Sequence, residues 1–184
     1  MSIPILYIFG ASGSGTTTLG RAASEALGWR LCDIDDYFWL PTDPPFIAAR
    51  PREERLSLLM RDVEGASGMV LTGWGESWVH PLIPDFTLAV RLTLEQSLRL
   101  ARLEARERAN FGSRLDPGGD MHAEHLKFMD WAAQFDTGGL DIRSKASLDA
   151  WQARMTCPVL TLDSARSVED NLTQVLTALN AKET

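Results

Sequence analysis

Five short runs of apolar residues punctuate the chain, at residues 3–9, 30–34, 69–72, 86–92 and 158–162. The first run is almost entirely apolar, the pattern of a central parallel strand buried on both faces. Leu19, Ala22, Ala23, Ala26 and Leu27 follow at helical spacing. A further helical pattern covers residues 95–109, with Leu98, Leu103 and Ala105 among its packing candidates. Phe128, Trp131, Ala132 and Phe135 form another packing face, and Ser167 opens a last helix with Glu169 and Asp170 in its first turn. This alternation predicts an α/β fold with a five-stranded, mostly parallel sheet between covering helices. Residues 40–55 carry Pro41, Pro44, Pro45 and Pro51 and predict an irregular excursion before a helix starting near residue 51. With no repeat or linker, residues 1–184 read as one domain carrying a helical insertion at about residues 95–145.

Such a sheet places ligands beyond the carboxyl ends of its strands. There the first strand runs into Gly10, Ala11, Ser12, Gly13, Ser14, Gly15, Thr16, Thr17 and Thr18. Against the phosphate-loop pattern G-x-x-x-x-G-K-S/T, the glycines are Gly10 and Gly15 and the hydroxyl is Thr17, while Thr16 replaces the lysine. Glycines at 10, 13 and 15 allow positive φ and leave room for an oxygen, and the following helix N-terminus favours an anion. The loop therefore predicts a bound ATP or GTP, with Thr17 offering its hydroxyl to Mg²⁺. The missing lysine removes one point charge that another cation can supply.

After the second run come Asp33, Asp35 and Asp36, three carboxylates in four residues at a strand end. Their repulsion is relieved by Mg²⁺ or by a substrate hydroxyl that gives up a proton. If the strand continues, Asp33 and Asp35 share a face and act together. The alternative is a solvated turn with an aspartate capping a helix.

Composition narrows the function classes. A 45% hydrophobic, 23% charged chain is an ordinary globular one. Its formal net charge of −7 argues against nonspecific binding to nucleic acid or to an anionic membrane, which favours a small-molecule partner. No apolar run approaches the roughly 20 residues that span a bilayer, and the first residues lack a signal pattern, so a cytoplasmic protein is expected. Cys32 and Cys157 are expected as buried, reduced thiols on separate strands. His122 and His125 supply only two ligands, too few for a metal site. Positive charge is concentrated instead in Arg99, Arg102 and Arg106, one stripe on the 95–109 helix, followed by a glycine-rich break whose flexibility suits a moving cover. A solvated, salt-bridged helix face is the alternative.

The loop at Gly10–Thr18, the Asp-x-Asp at Asp33–Asp35 and the arginine-rich insertion together resemble the P-loop small-molecule kinases, among them nucleoside-monophosphate, shikimate and gluconate kinases. The chain is also similar throughout to bacterial adenylate-kinase-like or AAA-family ATPase proteins that share the Gly-Ser-Gly-Thr-Thr-Thr loop and Asp-Asp-Tyr-Phe-Trp. The resemblance implies the P-loop kinase-like three-layer fold, with the insertion as a lid. It implies that Asp33 and Asp35 hold the substrate and organise Mg²⁺, with Asp36 as an extra carboxylate. It also implies that the turn Gly73-Trp74-Gly75 contacts substrate, although Trp74 fits a core cover equally well. No aspartate ends the third strand, which shifts the metal role onto Thr17 and Asp33. In related kinases lid arginines meet the transferring phosphoryl group, which nominates Arg102, Arg106 and Arg143. Residues 40–55 resemble a substrate flap, with Arg50 able to meet an anionic substrate or else lie exposed and paired. The corner Asp163-Ser164-Ala165-Arg166 borders the nucleotide base in such enzymes. An NTP-dependent phosphotransferase is the expected function; the alternatives are a nucleotide-binding regulatory protein and a slow NTPase without an acceptor.

Overall fold

The computed structural model describes residues 3–75 and 78–181. Among these, five strands form one sheet: β1 (Ile5–Gly10), β2 (Arg30–Asp33), β3 (Met69–Thr72), β4 (Phe86–Thr93) and β5 (Val159–Asp163). Their order is β2-β3-β1-β4-β5, and every pairing is parallel. The registers Ile8↔Thr72, Asp33↔Thr72, Gly10↔Leu92 and Thr93↔Asp163 bring the carboxyl ends to one edge of the sheet. The helices are α1 (Thr16–Leu27), α2 (Ile34–Phe38), α3 (Arg52–Asp62), α4 (Gln96–Phe111), α5 (His122–Ala133), α6 (Lys145–Gln152) and α7 (Val168–Asn180). None is long and apolar enough to cross a membrane.

All six residues of β1 are buried because its neighbours and both helical layers cover it. Its side chains alternate between two cores, as the period of two requires. Leu6 and Ile8 join Leu19 and Ala23 of α1 and Val175 and Leu179 of α7. Ile5, Tyr7 and Phe9 face the other layer, with Leu59 of α3 and Trp151 of α6. Tyr7 is wholly buried, yet its hydroxyl is satisfied: it donates to Gly73 O (3.0 Å) and accepts from Trp151 Nε1 (3.1 Å). A core residue of the central strand thus anchors the turn after β3. On the opposite face α1 approaches β3 closely, and a Cβ on Gly20 would lie 2.2 Å from Thr72 Cγ2.

Several expectations change. Arg30–Asp33 stops one residue early because Asp33 caps α2 at Ile34, so Asp33 and Asp35 do not share a strand face. On α4 the inward stripe is Arg99, Leu103 and Glu107, while Leu98 and Ala105 face solvent. The cause is a partner distant in sequence, since Arg99 turns inward to Asp136. The helix also continues through Phe111, and residues Gly112–Leu115 form a 3-10 turn where a looser break was expected. Of the aromatic face on α5, Ala132 and the following Phe135 are buried, whereas Phe128 and Trp131 stack on each other half-exposed. Neither cysteine forms a disulfide; Cys32 is buried in β2, but Cys157 precedes β5 and is only half-buried.

Candidate active site

The loop after β1 takes its shape from two left-handed glycines, Gly13 (φ 81°) and Gly15 (φ 87°). Gly10 is not one of them. Its role is close packing, because a Cβ there would lie 2.6 Å from Leu92 O and from Ser14 Oγ. Gly13 serves twice, since α4 also presses on it: a Cβ would meet Arg99 O at 2.6 Å. Ser14 is fully buried and its N–H is occupied by Ala11 O (3.1 Å), so it shapes the loop from within. Gly15 provides no side-chain cap, and the first helical backbone bond runs from Leu19 N–H to Gly15 O. The amides of Thr16, Thr17 and Thr18 in the first turn precede that bond, and these residues line a groove of about 450 Å³.

Thr17 is the bridge from this loop to the second strand. Its hydroxyl donates to Asp33 Oδ2 at 2.7 Å, while Asp33 Oδ1 accepts the N–H of Asp35 at 3.1 Å. Asp33 is therefore the helix cap that the alternative reading describes, and its second oxygen is the partner of the loop hydroxyl. Together Thr17 and Asp33 offer adjacent hard oxygen donors, a set that suits Mg²⁺. Asp35 stands at the start of α2, open to solvent but surrounded by protein. Burial and the charge of Asp33 push its carboxyl above the ordinary range, against the pull of Arg143 and Arg106. Burial, then Asp33, likewise raises Asp36.

Facing these carboxylates is a cluster drawn from distant parts of the chain. Arg143 lies immediately before Ser144, whose hydroxyl accepts from Ser147 N–H and donates to Gly139 O (2.6 Å), a fixed corner at the start of α6. The Arg143 guanidinium sits 4.9 Å from the Trp74 ring centroid and 5.8 Å from that of Trp131. Trp74 thus joins the core and the site at once. Gly73 (φ 103°) turns the chain here, and a Cβ on it would come within 3.7 Å of Asp33 Oδ1. Gly75 has a packing role instead, with its missing Cβ replaced by Val79 and Ile34. Arg106 pairs with Glu107 at 3.1 Å and leaves about half of its side chain exposed. Arg50 is set apart: its Nε donates to Tyr37 O of α2 (3.2 Å), and its carbonyl accepts from the buried Arg55.

The three arginines expected on one stripe have separate fates. Arg99 is structural in its contacts, paired with Asp136 at 2.5 Å. Arg102 reaches across the groove and donates to Ser164 Oγ (2.9 Å) and Ser164 O (3.0 Å), beside Gly15. With Arg106 and Arg166 it lines the groove, whose far wall is the corner after β5 together with Asn171. Asn171 donates to Asp163 O (3.0 Å) and was not signalled by any motif. Trp131 was read as core, and nothing local announced its place beside Arg143. The two histidines serve local contacts: His122 Nδ1 meets Leu115 O at 2.7 Å, and His125 Nε2 meets Glu104 Oε2 at 2.9 Å.

No family model matches the chain. It is 35% identical over 176 residues to "Uncharacterized protein YqaC" of Bacillus subtilis (strain 168), covering 96% of this chain and 97% of that protein. Among solved structures it resembles a shikimate kinase from Bacteroides thetaiotaomicron, at 17% identity and a TM-score of 0.56, covering 97% of this chain and 98% of that one. It also resembles a gluconokinase from Sinorhizobium meliloti 1021, at 16% identity and a TM-score of 0.53, covering 98% and 93% of the two chains. The chain belongs to the same family as YqaC and shares the fold of the shikimate kinase and the gluconokinase.

Proposed function

We propose that the protein is an NTP-dependent phosphotransferase that binds Mg-ATP or Mg-GTP at the variant loop and acts on a small molecule bearing a hydroxyl or phosphate. The observation that carries this reading is the 2.7 Å hydrogen bond from Thr17 to Asp33, which couples the phosphate loop to the carboxylate corner. The names of the structural neighbours, a gluconokinase and a shikimate kinase, point the same way.

In this reading the loop amides and the first turn of α1 cradle the phosphates, and the groove up to Ser164 and Arg166 takes the rest of the nucleotide. Thr17 Oγ1 and Asp33 would hold magnesium, which when bound neutralises phosphate charge. Asp35 orients the acceptor hydroxyl and takes its proton at a carboxylate oxygen. Its raised affinity for a proton suits that task. Arg106 and Arg143 flank Asp35 and stabilise charge that develops on the transferring group, while Arg102 fixes the nucleotide side. Asp36, Gly73 and Trp74 border the acceptor. Positioning and charge stabilisation carry the rate, as phosphoryl transfer requires.

The threonine at position 16 favours a second reading, a nucleotide-binding protein without turnover. A screen of Mg-ATP and Mg-GTP against nucleosides, nucleotides and small metabolites, read by product mass, separates the two. A phosphorylated acceptor supports the phosphotransferase. Hydrolysis with every acceptor inert means an NTPase, and tight binding without turnover means a regulatory binder.

A further inference from the structure

Two buried guanidinium groups outside the groove share an unusual defect. Arg99 is 1% exposed; its Nη2 pairs with Asp136, its Nε donates to Leu94 O (3.3 Å) and its plane lies 4.8 Å from the Phe135 ring centroid. Its Nη1 is buried with no hydrogen-bond partner among the described residues. Arg143 Nε is buried and unpartnered in the same way. Both arginines line one small cavity, together with Ser12, Trp131, Ala132 and Phe135. Buried donors are normally satisfied, so two orphaned cationic N–H groups on residues that line the same void ask for an acceptor.

The lining specifies what that acceptor is. The lining residues include two arginines, one serine and no carboxylate, beside aromatic and aliphatic side chains; Asp136 pairs with Arg99 through Nη2 and leaves Nη1 free among the described residues. The cavity is about 10 Å³, enough for one oxygen-sized group and too small for a whole phosphate. Ser12, at its edge, belongs to the phosphate loop whose lysine position is Thr16. An oxygen seated there can therefore remain attached to a phosphorus lying against the loop.

We propose that Arg99 and Arg143 form an anion seat beside Ser12 that takes one phosphate oxygen and supplies the positive charge absent at Thr16. Arg143 touches the oxygen from the acceptor side. Arg99 touches the same oxygen from beneath, and its carbonyl packing on Gly13 ties the seat to the loop. If the phosphotransferase reading holds, the oxygen belongs to the terminal phosphate of the nucleotide; the same chemistry also accepts free inorganic phosphate.

Calorimetric titration of the full chain with a nonhydrolysable ATP analogue, with ADP and with inorganic phosphate alone, all with Mg²⁺, tests the seat. The wild type is expected to bind the triphosphate at least about tenfold more tightly than ADP, from the added charge-assisted bonds. That ratio should collapse towards one in Arg143→Gln, with ADP binding retained, and recover partly in Arg143→Lys. Phosphate alone binding to the wild type but not to Arg143→Gln would support the seat and assign it to the free anion. If Arg143→Gln does not fold by circular dichroism, Ser12→Val reads the same effect by filling the cavity mouth. A triphosphate preference unchanged in a folded variant, with no phosphate binding lost, overturns the proposal. Failure of the wild type to bind any nucleotide would instead remove the phosphotransferase reading, and the phosphate titration would still decide the seat.

Discussion

Replacing Asp33 with asparagine separates its two roles, because only one of them needs the charge. Asp33 accepts from the Asp35 N–H at 3.1 Å as the cap of α2, and asparagine caps about as well as aspartate. The Thr17 hydroxyl bond at 2.7 Å changes from charge-assisted to neutral, a loss of about 1 kcal/mol. Opposing this, removal of one negative charge relieves the repulsion that Asp33 exerts on Asp35 and Asp36. The net stability change should stay within about 1 kcal/mol, or about 2–4 °C in Tm for a domain of this size. Turnover should fall about 10²–10³-fold, the scale of removing one preorganised charge-stabilising group. Thermal denaturation and Mg-NTP turnover on the same preparation check both halves. A Tm loss beyond about 8 °C would make Asp33 chiefly a structural cap, and turnover within about threefold of wild type would refute the mechanism.

Acceptor phosphorylation should show an acidic limb in kcat/KM centred above the ordinary carboxylate value of about 4, rising with pH as Asp35 loses its proton. Arg143→Gln should move that limb to higher pH by removing a charge that lowers the Asp35 value, and an unmoved limb would dissociate Asp35 from the limb. The same burial means that protonated Asp35 is preferred by the fold, a contribution present at low pH and lost as pH rises through its raised value. Asp35→Asn should accordingly raise Tm at pH 7 while abolishing transfer. Arg102→Ala cuts both bonds to Ser164 and should weaken nucleotide binding about tenfold without altering the acceptor KM; steady-state titration of each substrate distinguishes this from a general loss. Gly20→Ala should cost about 1–3 kcal/mol through overpacking against Thr72, measured by denaturant unfolding, and a neutral result would mean that α1 shifts freely.

Much of the fold was legible because buried parallel strands announce themselves as continuous apolar runs, and each of the five runs became a strand. The order strand, loop, helix at Gly10–Thr18 was equally plain, since Gly13 and Gly15 are demanded by local backbone geometry. Local chemistry also explains why β2 ends one residue short of the apolar run: the preference of Asp33 for capping ended β2 and started α2 at once. What could not be read were pairings across long separations. Arg99 left the exposed stripe for Asp136, 37 residues away. Trp74, Trp131 and Arg143 meet only because their elements converge at one edge of the sheet. Nothing in the helical spacing marks Gly20, whose reason lies in the close approach of α1 to Thr72 of β3.

The central claim is that this loop holds a magnesium nucleotide without a lysine at position 16. Calorimetric titration of a nonhydrolysable ATP or GTP analogue, with Mg²⁺ and with the metal chelated, tests it directly in the wild type and in Thr17→Val. Binding that weakens about tenfold or more both on chelation and in Thr17→Val is the predicted result. Equal binding in all these conditions, or none in any of them, would contradict the account.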